Sequence, residues 1–221
     1  MADLHPAIGL ALEHELATLT VNPWLVRPAA RLLARSPVRV ATVIGYAHGG
    51  QVAAVKAFEA SQALEDGATQ LDFVLNAGAL VSGDDEAVLN DMLAVIEMAH
   101  SAMAVSGVIV QAAPVGDERI RRACRLASRA AADYIVTTSG EEPAAAAIQL
   151  ARLLHQVVGE ELEITAAGVF TDLAQVVEAV AAGAAGISTS FSARLANETT
   201  AWLRESTAAA EPLADVAATA R

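Results

Sequence analysis

Seven short runs rich in β-branched residues alternate with segments of helical spacing, and this alternation constrains the fold more than any other feature. The runs are TLTV at 18–21, VRVATVI at 38–44, LDFVL at 71–75, VSGVIV at 105–110, DYIVT at 133–137, LEITA at 162–166 and GIST at 186–189. Most are apolar on both faces, which is typical of parallel strands covered by helices. Seven βα units in 221 residues predict an α/β fold of the TIM (β/α)₈ type rather than an open doubly wound sheet.

The segments between the runs carry apolar stripes at helical spacing, most clearly at 84–100, 143–158 and 172–182. Asp84 and Asp172 precede two of these segments and are predicted to cap helices. No linker divides the chain, so we expect one domain over residues 1–205 and a loosely attached tail over residues 206–221.

Charge and composition argue against several classes of function. Binding to a phosphate backbone needs clustered lysine and arginine, and this chain has a net charge of −12, so nucleic acid is not an expected partner. The sequence contains no run of about 18 apolar residues, so no membrane span is predicted. The single cysteine, Cys124, lies on an apolar helical stripe, which predicts core packing and fits a reducing cytoplasm. The histidines show no HxH or HExxH spacing, and GYAHGG lacks GxGxxG spacing, so neither a metal nor another cofactor is expected.

Functional side chains of a barrel lie where its strands end at their C-terminal side. The candidates at those positions are Asn22, His48, Asp72, Asn76, Gln111, Thr137, Thr138, Ser139, Gly140, Gly168, Ser188 and Ser190. Asp72 could act as a general base or be a hydrogen-bonded core residue, and His48 could be an acid, a base or a loop residue without a role. The hydroxyls at 137–139 could line a small-molecule pocket or only form a strand-to-helix turn.

Four stretches together resemble the deoxyribose-phosphate aldolase family. They are VNPWLVRPAARLL, VRVATVIGYAHG, VKAFEASQALEDGATQLDFVLNAGALVSGD and ADYIVTTSG, and the resemblance runs from about Leu19 to about Ser192. It implies a class I aldolase on a TIM barrel, which cleaves 2-deoxyribose 5-phosphate to acetaldehyde and glyceraldehyde 3-phosphate. It also implies that Asp72, in QLDFVLN, matches the catalytic aspartate of that family.

The positions of the family's two lysines hold no amine in this chain. The resemblance places the Schiff-base lysine on Val136 and the second lysine on Ile164 or Thr165, of which we favour Thr165, while the family's strand-end glutamate matches Gln111. An imine-forming aldolase needs a primary amine that is partly neutral near pH 7. The only lysine, Lys56, lies in a helical segment, where we expect it to be solvated beside Glu59.

The phosphate-binding turns of the family are also altered. Phe170 stands at the family's arginine position, and Ala167 and Ser188 stand at glycine positions. No lysine or arginine occurs between Arg152 and Arg194, so we expect weak phosphate binding, although backbone amides at a helix N-terminus could still hold an anion.

The family's first strand has no counterpart among the 22 residues that precede Pro23, where AIGLALEHEL accounts for a helix. We therefore expect about seven strands and two unpaired strand edges, which are costly to leave bare. The C-terminal segment, a second copy or a different subunit could cover them.

Three functional hypotheses follow. The favoured one is a non-catalytic member of the aldolase family that acts as a partner or regulatory subunit, in a homo- or hetero-oligomer, with an active aldolase paralogue. The second is a lyase or another enzyme of carbonyl or sugar-phosphate chemistry that uses Asp72 without an imine. The third is a module that binds a small sugar or sugar phosphate.

Overall fold

A parallel sheet surrounded by helices forms the molecule. The computed structural model describes residues 4–110, 116–190 and 193–218, with the backbone alone for 206–218. The strands are β1 Thr18–Thr20, β2 Arg39–Ile44, β3 Gln70–Val74, β4 Val105–Ile109, β5 Tyr134–Val136, β6 Glu163–Ala167 and β7 Gly186–Ser188. The helices are α1 Leu4–Glu13, α2 Val26–Leu33, α3 Ala53–Glu65, α4 Ala77–Ser82, α5 Asp85–Ser101, α6 Asp117–Arg129, α7 Ala144–Val158, α8 Leu173–Ala181 and α9 Ala193–Ala218, with a 3₁₀ turn at Pro23–Leu25.

The strands follow one another in the sheet in the order of the chain, and every pair is parallel. The sheet curls into an incomplete TIM-type barrel in which, over the described residues, β1 and β7 each pair with one neighbour only. The predicted seven-stranded barrel is thus confirmed.

The alternation of side chains along the strands divides the interior into two parts. On β3, Leu71 and Phe73 face the helices and belong to the large outer core. Val74 faces the other way, into the barrel lumen, with Ile109, Tyr134, Val136 and Ala167. The lumen is therefore packed with side chains, as in other TIM barrels.

The local predictions for the helices hold. Asp84 and Asp172 each accept a hydrogen bond at a helix start, from the backbone N–H of Ala87 and Gln175 respectively. Cys124 is fully buried, and burial raises the pKa of its thiol to about 11, so it is a packing residue.

The last helix lies on the helical side of the gap between β7 and β1. Helix α9 contacts α8, and Thr200 of α9 lies 3.1 Å from the ring of His14, just after α1. The helical backbone continues to Ala218. The loosely attached tail over residues 206–221 stays a prediction.

Among the described residues, none of the helices combines the length and the apolar character that crossing a membrane requires.

Candidate functional site

An apolar layer occupies the part of the lumen where strand-end chemistry is expected. Val136, at the end of β5, is 3% exposed and packs with Val74, Ile109 and Ala167. A charged group at this position would lose its hydration without gaining a partner. The geometry at Val136 is that of a filled barrel interior.

Strand β6 shows which of Ile164 and Thr165 lies beside Val136 in the lumen. Thr165 is the register partner of Val136, and its hydroxyl would lie 3.2 Å from a Cβ placed on Gly186, across the lumen face of β6 and β7. Ile164 instead belongs to the outer core, where it is 1% exposed. Thr165 therefore faces the lumen, and Ile164 faces the helices.

Below the apolar layer, a polar network crosses the lumen. The Tyr134 hydroxyl donates to Oδ1 of Asp72, and the Tyr134 ring lies over Gly107, where a Cβ would come within 2.3 Å of the ring. Gln70 hydrogen-bonds to Asp72 and also accepts from the Thr18 hydroxyl at 3.2 Å. The network thus links β1, β3 and β5 through one buried carboxyl.

Burial controls the ionisation of this network. Asp72 is 8% exposed, and desolvation raises its pKa to about 6, although the hydrogen bonds from Tyr134 and Gln70 oppose the rise. Desolvation and the adjacent carboxylate raise the pKa of Tyr134, so its hydroxyl stays protonated and donates. Asp72 can therefore exchange a proton near neutral pH, which is what a general acid or base requires.

The hydroxyl-rich loop after β5 is bound to the end of β6. The Thr137 hydroxyl accepts from the Ala167 N–H at 2.9 Å, and the Thr138 hydroxyl donates to the Ala167 carbonyl at 2.6 Å. Thr138 also accepts from the N–H of Gly140 at 3.1 Å. Both threonines are buried, whereas Ser139 and Gly140 are half-buried. The two threonine hydroxyls are therefore used in joining strands.

The turns after β6 and β7 also bond to each other and to the loop after β5. The N–H of Gly168 donates to the Ser188 carbonyl at 3.0 Å, and that of Val169 donates to the Glu142 carbonyl at 2.8 Å. The N–H of Phe170 donates to the Thr189 hydroxyl at 3.1 Å, and the Phe170 ring is buried in the outer core. Three backbone amides that could hold an anion here already have protein acceptors.

The remaining strand-end candidates are exposed, cap a helix or lie outside the described residues. Asn76 caps α4, with its Oδ1 accepting from the Ala79 N–H at 3.0 Å. The side chains of Asn22, His48 and Ser190 are exposed. Gln111 lies outside the described residues.

The prediction of a solvated Lys56 is wrong. Its side chain is fully buried on the helical side of the sheet, where Nζ lies 2.7 Å from Oδ2 of Asp91 and 2.7 Å from the Val74 carbonyl. Oδ2 of Asp91 also accepts from the Asn76 N–H at 3.0 Å. Desolvation lowers the pKa of Lys56, while the ion pair with Asp91 opposes that change. Lys56 therefore ties α3 to α5 and to the end of β3, outside the lumen.

Two contacts at the mouth escaped the sequence analysis. The Tyr46 hydroxyl, after β2, donates to a carboxylate oxygen of Glu141, after β5, so the two loops meet. Gly49 has φ +65°, and a Cβ there would lie 2.1 Å from the Leu75 carbonyl, so only glycine lets this loop approach β3. The glycines of GYAHGG could have indicated that this loop approaches β3 closely. Nothing local marks the pairing of Tyr46 with Glu141.

Comparison with known proteins shows the family to which this barrel belongs. The family described as DeoC/LacD family aldolase matches residues 1–191. The chain belongs to that family. A deoxyribose-phosphate aldolase of Thermococcus kodakarensis is 38% identical over 187 residues, which are 84% of each chain. One from Rhodopirellula baltica is 34% identical over 197 residues, covering 89% of this chain and 82% of the relative.

Solved structures of aldolases are similar to the whole barrel. The aldolase QR15 aligns with a TM-score of 0.81 at 28% identity, over 90% of this chain and 88% of its own. A tetrameric deoxyribose phosphate aldolase from Aeropyrum pernix aligns with a TM-score of 0.76 at 26% identity, over 92% of this chain and 84% of its own. Within the aldolase family, this chain therefore keeps the barrel while its lumen holds Val136 and Thr165 where the resemblance implies amines.

Proposed function

We propose that this chain is a member of the aldolase family that does not perform the imine reaction and acts as a partner or regulatory subunit of a related, active aldolase. The observation that carries the proposal is the lumen position of Val136, which packs against Val74 and Ile109 instead of offering an amine. A Schiff base needs a nucleophilic nitrogen within reach of the carbonyl carbon. Valine has none.

The only lysine of the chain supports the same conclusion. Lys56 lies outside the lumen, has no exposed surface and already donates to Asp91 and Val74. Reaching a substrate in the lumen would require breaking a buried ion pair, and loss of one partner of such a pair costs about 3–5 kcal/mol.

The turns after β6 and β7, which would bind the phosphate group, support the proposal that this chain does not bind the phosphorylated substrate of its family. The amides of Gly168, Val169 and Phe170 donate to protein acceptors, one of which is the backbone carbonyl of Glu142. An anion would have to displace those bonds and approach a chain of net charge −12.

The unpaired edges of β1 and β7 support a role in association. A sheet edge offers free backbone donors and acceptors to another chain. A related aldolase in the comparison is tetrameric, so assembly is consistent with the family's fold.

A second function, acid–base chemistry without an imine, is favoured by one observation. Asp72 has a pKa raised to about 6 and a protonated partner in Tyr134, so this pair could move a proton at neutral pH. The substrate would be a small carbonyl compound or a sugar phosphate. The apolar layer formed by Val74 and Val136 lies between Asp72 and the strand ends, which is why this function ranks second.

The test uses an expression host deleted for its own deoxyribose-phosphate aldolase. Alone, the chain is expected to leave 2-deoxyribose 5-phosphate unchanged relative to a buffer blank. Mixed with an active aldolase encoded in the same genome, it is expected to form a mixed assembly in native mass spectrometry and to change the kcat or KM of that enzyme. Turnover by the chain alone, or a chain that leaves both the mass and the kinetics of the enzyme unchanged, would contradict the proposal.

A further inference from the structure

The two edge strands differ from the inner strands in their exposure. Every residue of β5 is buried, whereas every residue of β7 is half-buried and Thr20 of β1 is exposed. In a closed barrel all strands have two neighbours and equal shelter. The exposed surface of β1 and β7 therefore lies at the gap between these two strands.

The backbone of both edges is directed at this gap. Ala17 accepts from Arg39, and Val21 donates to Ala41, so these alternate residues bond to β2 and leave the N–H and C=O groups of Thr18 and Thr20 on the opposite side.

On β7, Ser188 accepts from Gly168 on the β6 side, which turns the N–H and C=O of Ile187 towards the gap. In the part of the chain that the structure describes, no backbone hydrogen bond engages these groups of Thr18, Thr20 or Ile187.

Helices cover the outer side of the gap, and within the plane of the sheet no described strand lies between β1 and β7. Helix α9 contacts α8 and, through Thr200, the residue His14 that follows α1, so the helical layer continues past the gap. A helix satisfies its own backbone groups and cannot pair with a strand edge. On the lumen side the neighbours of the gap are Thr18, Thr20, Gly186 and Ser188, all of which have small side chains or none.

We propose that the gap between β1 and β7 is a docking slot that takes an extended segment of a partner chain as an eighth, parallel strand. This inference rests on the proposed partner function and names how the partner is held. Backbone groups of β1 and β7 supply the affinity, because strand addition satisfies donors and acceptors on both sides of the inserted segment. The TIM barrel closes with eight parallel strands, so a single strand completes the sheet.

The surroundings of the slot define the chemistry of the segment. Its inward side chains are small and polar, to match Thr18 and Ser188, and its outward side chains are apolar, to match Ile187 beside the outer core. Near the N-terminal end of the slot, the exposed Glu15 and Glu163 outnumber the exposed Arg39 of β2, so a basic residue at the start of the segment is favoured.

A peptide that copies residues 16–22 of this chain, LATLTVN, serves as the probe, because it repeats the alternation of β1. It carries an added N-terminal lysine and a fluorescent label, and its binding to the full chain is followed by fluorescence anisotropy. Thr20→Pro removes a backbone donor that faces the slot without touching the bonds to β2, and Thr20→Val, which keeps that donor, is the matched control. A peptide with alternate amides N-methylated is a second control that leaves the protein unchanged.

The expected result is saturable binding by the wild type and by Thr20→Val, with affinity at least about tenfold weaker for Thr20→Pro and for the methylated peptide. Absence of saturable binding by folded wild type, or equal binding of the methylated peptide, would overturn the proposal. A homodimer dispersed by Thr20→Pro would assign the edges to a second copy and would overturn it as well.

The outcomes separate this inference from the proposed function. Peptide binding together with aldolase turnover by the chain alone would keep the slot and remove the non-catalytic role. Loss of peptide binding with no turnover, but with a mixed assembly, would remove the slot and keep the partner role.

Discussion

At the scale of single residues, three side chains decide whether the barrel can form an imine or transfer a proton. Val136 fills the position where the family resemblance implies an amine, Lys56 is buried in an ion pair with Asp91, and Asp72 shares a hydrogen bond with Tyr134. Burial raises the pKa of the Asp72 carboxyl to about 6. The effect of Asp72 ionisation on the stability of the protein can therefore be measured.

Replacing Asp72 by asparagine is expected to stabilise the protein above pH 6. The folded pKa of about 6 exceeds the ordinary value of 3.8, so between these pH values the folded state holds a proton that the unfolded chain has lost, and stability falls as pH rises. Asp72→Asn removes this loss of stability. The free energy of unfolding is expected to rise by roughly 1–3 kcal/mol at pH 8 and to stay unchanged at pH 4.

Urea unfolding at pH 4 and pH 8 measures the change in stability that Asp72→Asn causes. The control is Glu97→Gln, on the exposed face of α5. A gain in stability from Asp72→Asn that is equal at pH 4 and pH 8 would show that desolvation does not set this pKa.

The sequence indicated some of these residues and not others. Tyr134 was not among the residues predicted from the sequence, although it stands two positions before Val136 and strand alternation puts both on one face. The error at Lys56 had a physical reason: Glu59, one turn away, suggested a surface pair, while Asp91 lies 35 positions along the chain and gives no local signal.

At the scale of elements, the loop after β5 keeps its form because its hydroxyls hold β6. Thr137 and Thr138 both bond to the backbone of Ala167, thirty and twenty-nine positions away. The sequence predicted the strand and the turn from composition. The partner of each hydroxyl depends on the curl of the sheet, so the same residues could be interpreted as a ligand loop.

Thr137→Val is expected to destabilise the protein by about 1–3 kcal/mol, because the buried N–H of Ala167 loses its acceptor. Ser139→Ala, in the same loop but half-buried, is expected to change stability by less than about 0.5 kcal/mol. Urea unfolding gives both values, and hydrogen exchange at Ala167 should accelerate in Thr137→Val alone. Unchanged protection of that amide would mean that the hydroxyl does not hold β6.

At the scale of the whole molecule, the alternation of strands and helices was sufficient to predict the barrel and its seven strands. Each strand lies beside its neighbour in the chain, so local patterns determine the order of the sheet. The sequence offered the C-terminal segment as one possible cover of the strand edges, but it could not show that α9 lies on the helical side of the gap, because that depends on the contact of Thr200 with His14, far away in the chain. At this scale we propose that an aldolase barrel persists without an amine to form the imine.

Trapping with acetaldehyde and borohydride, followed by peptide mapping in a mass spectrometer, tests that claim directly. The folded chain is expected to carry an ethyl group on its α-amino group, an internal control, and none on Lys56, which has no exposed surface. In urea, Lys56 should become labelled, which shows that the reagent can reach it once Asp91 and Val74 no longer hold it. An ethyl adduct on Lys56 of the folded protein, together with turnover of 2-deoxyribose 5-phosphate, would contradict the account.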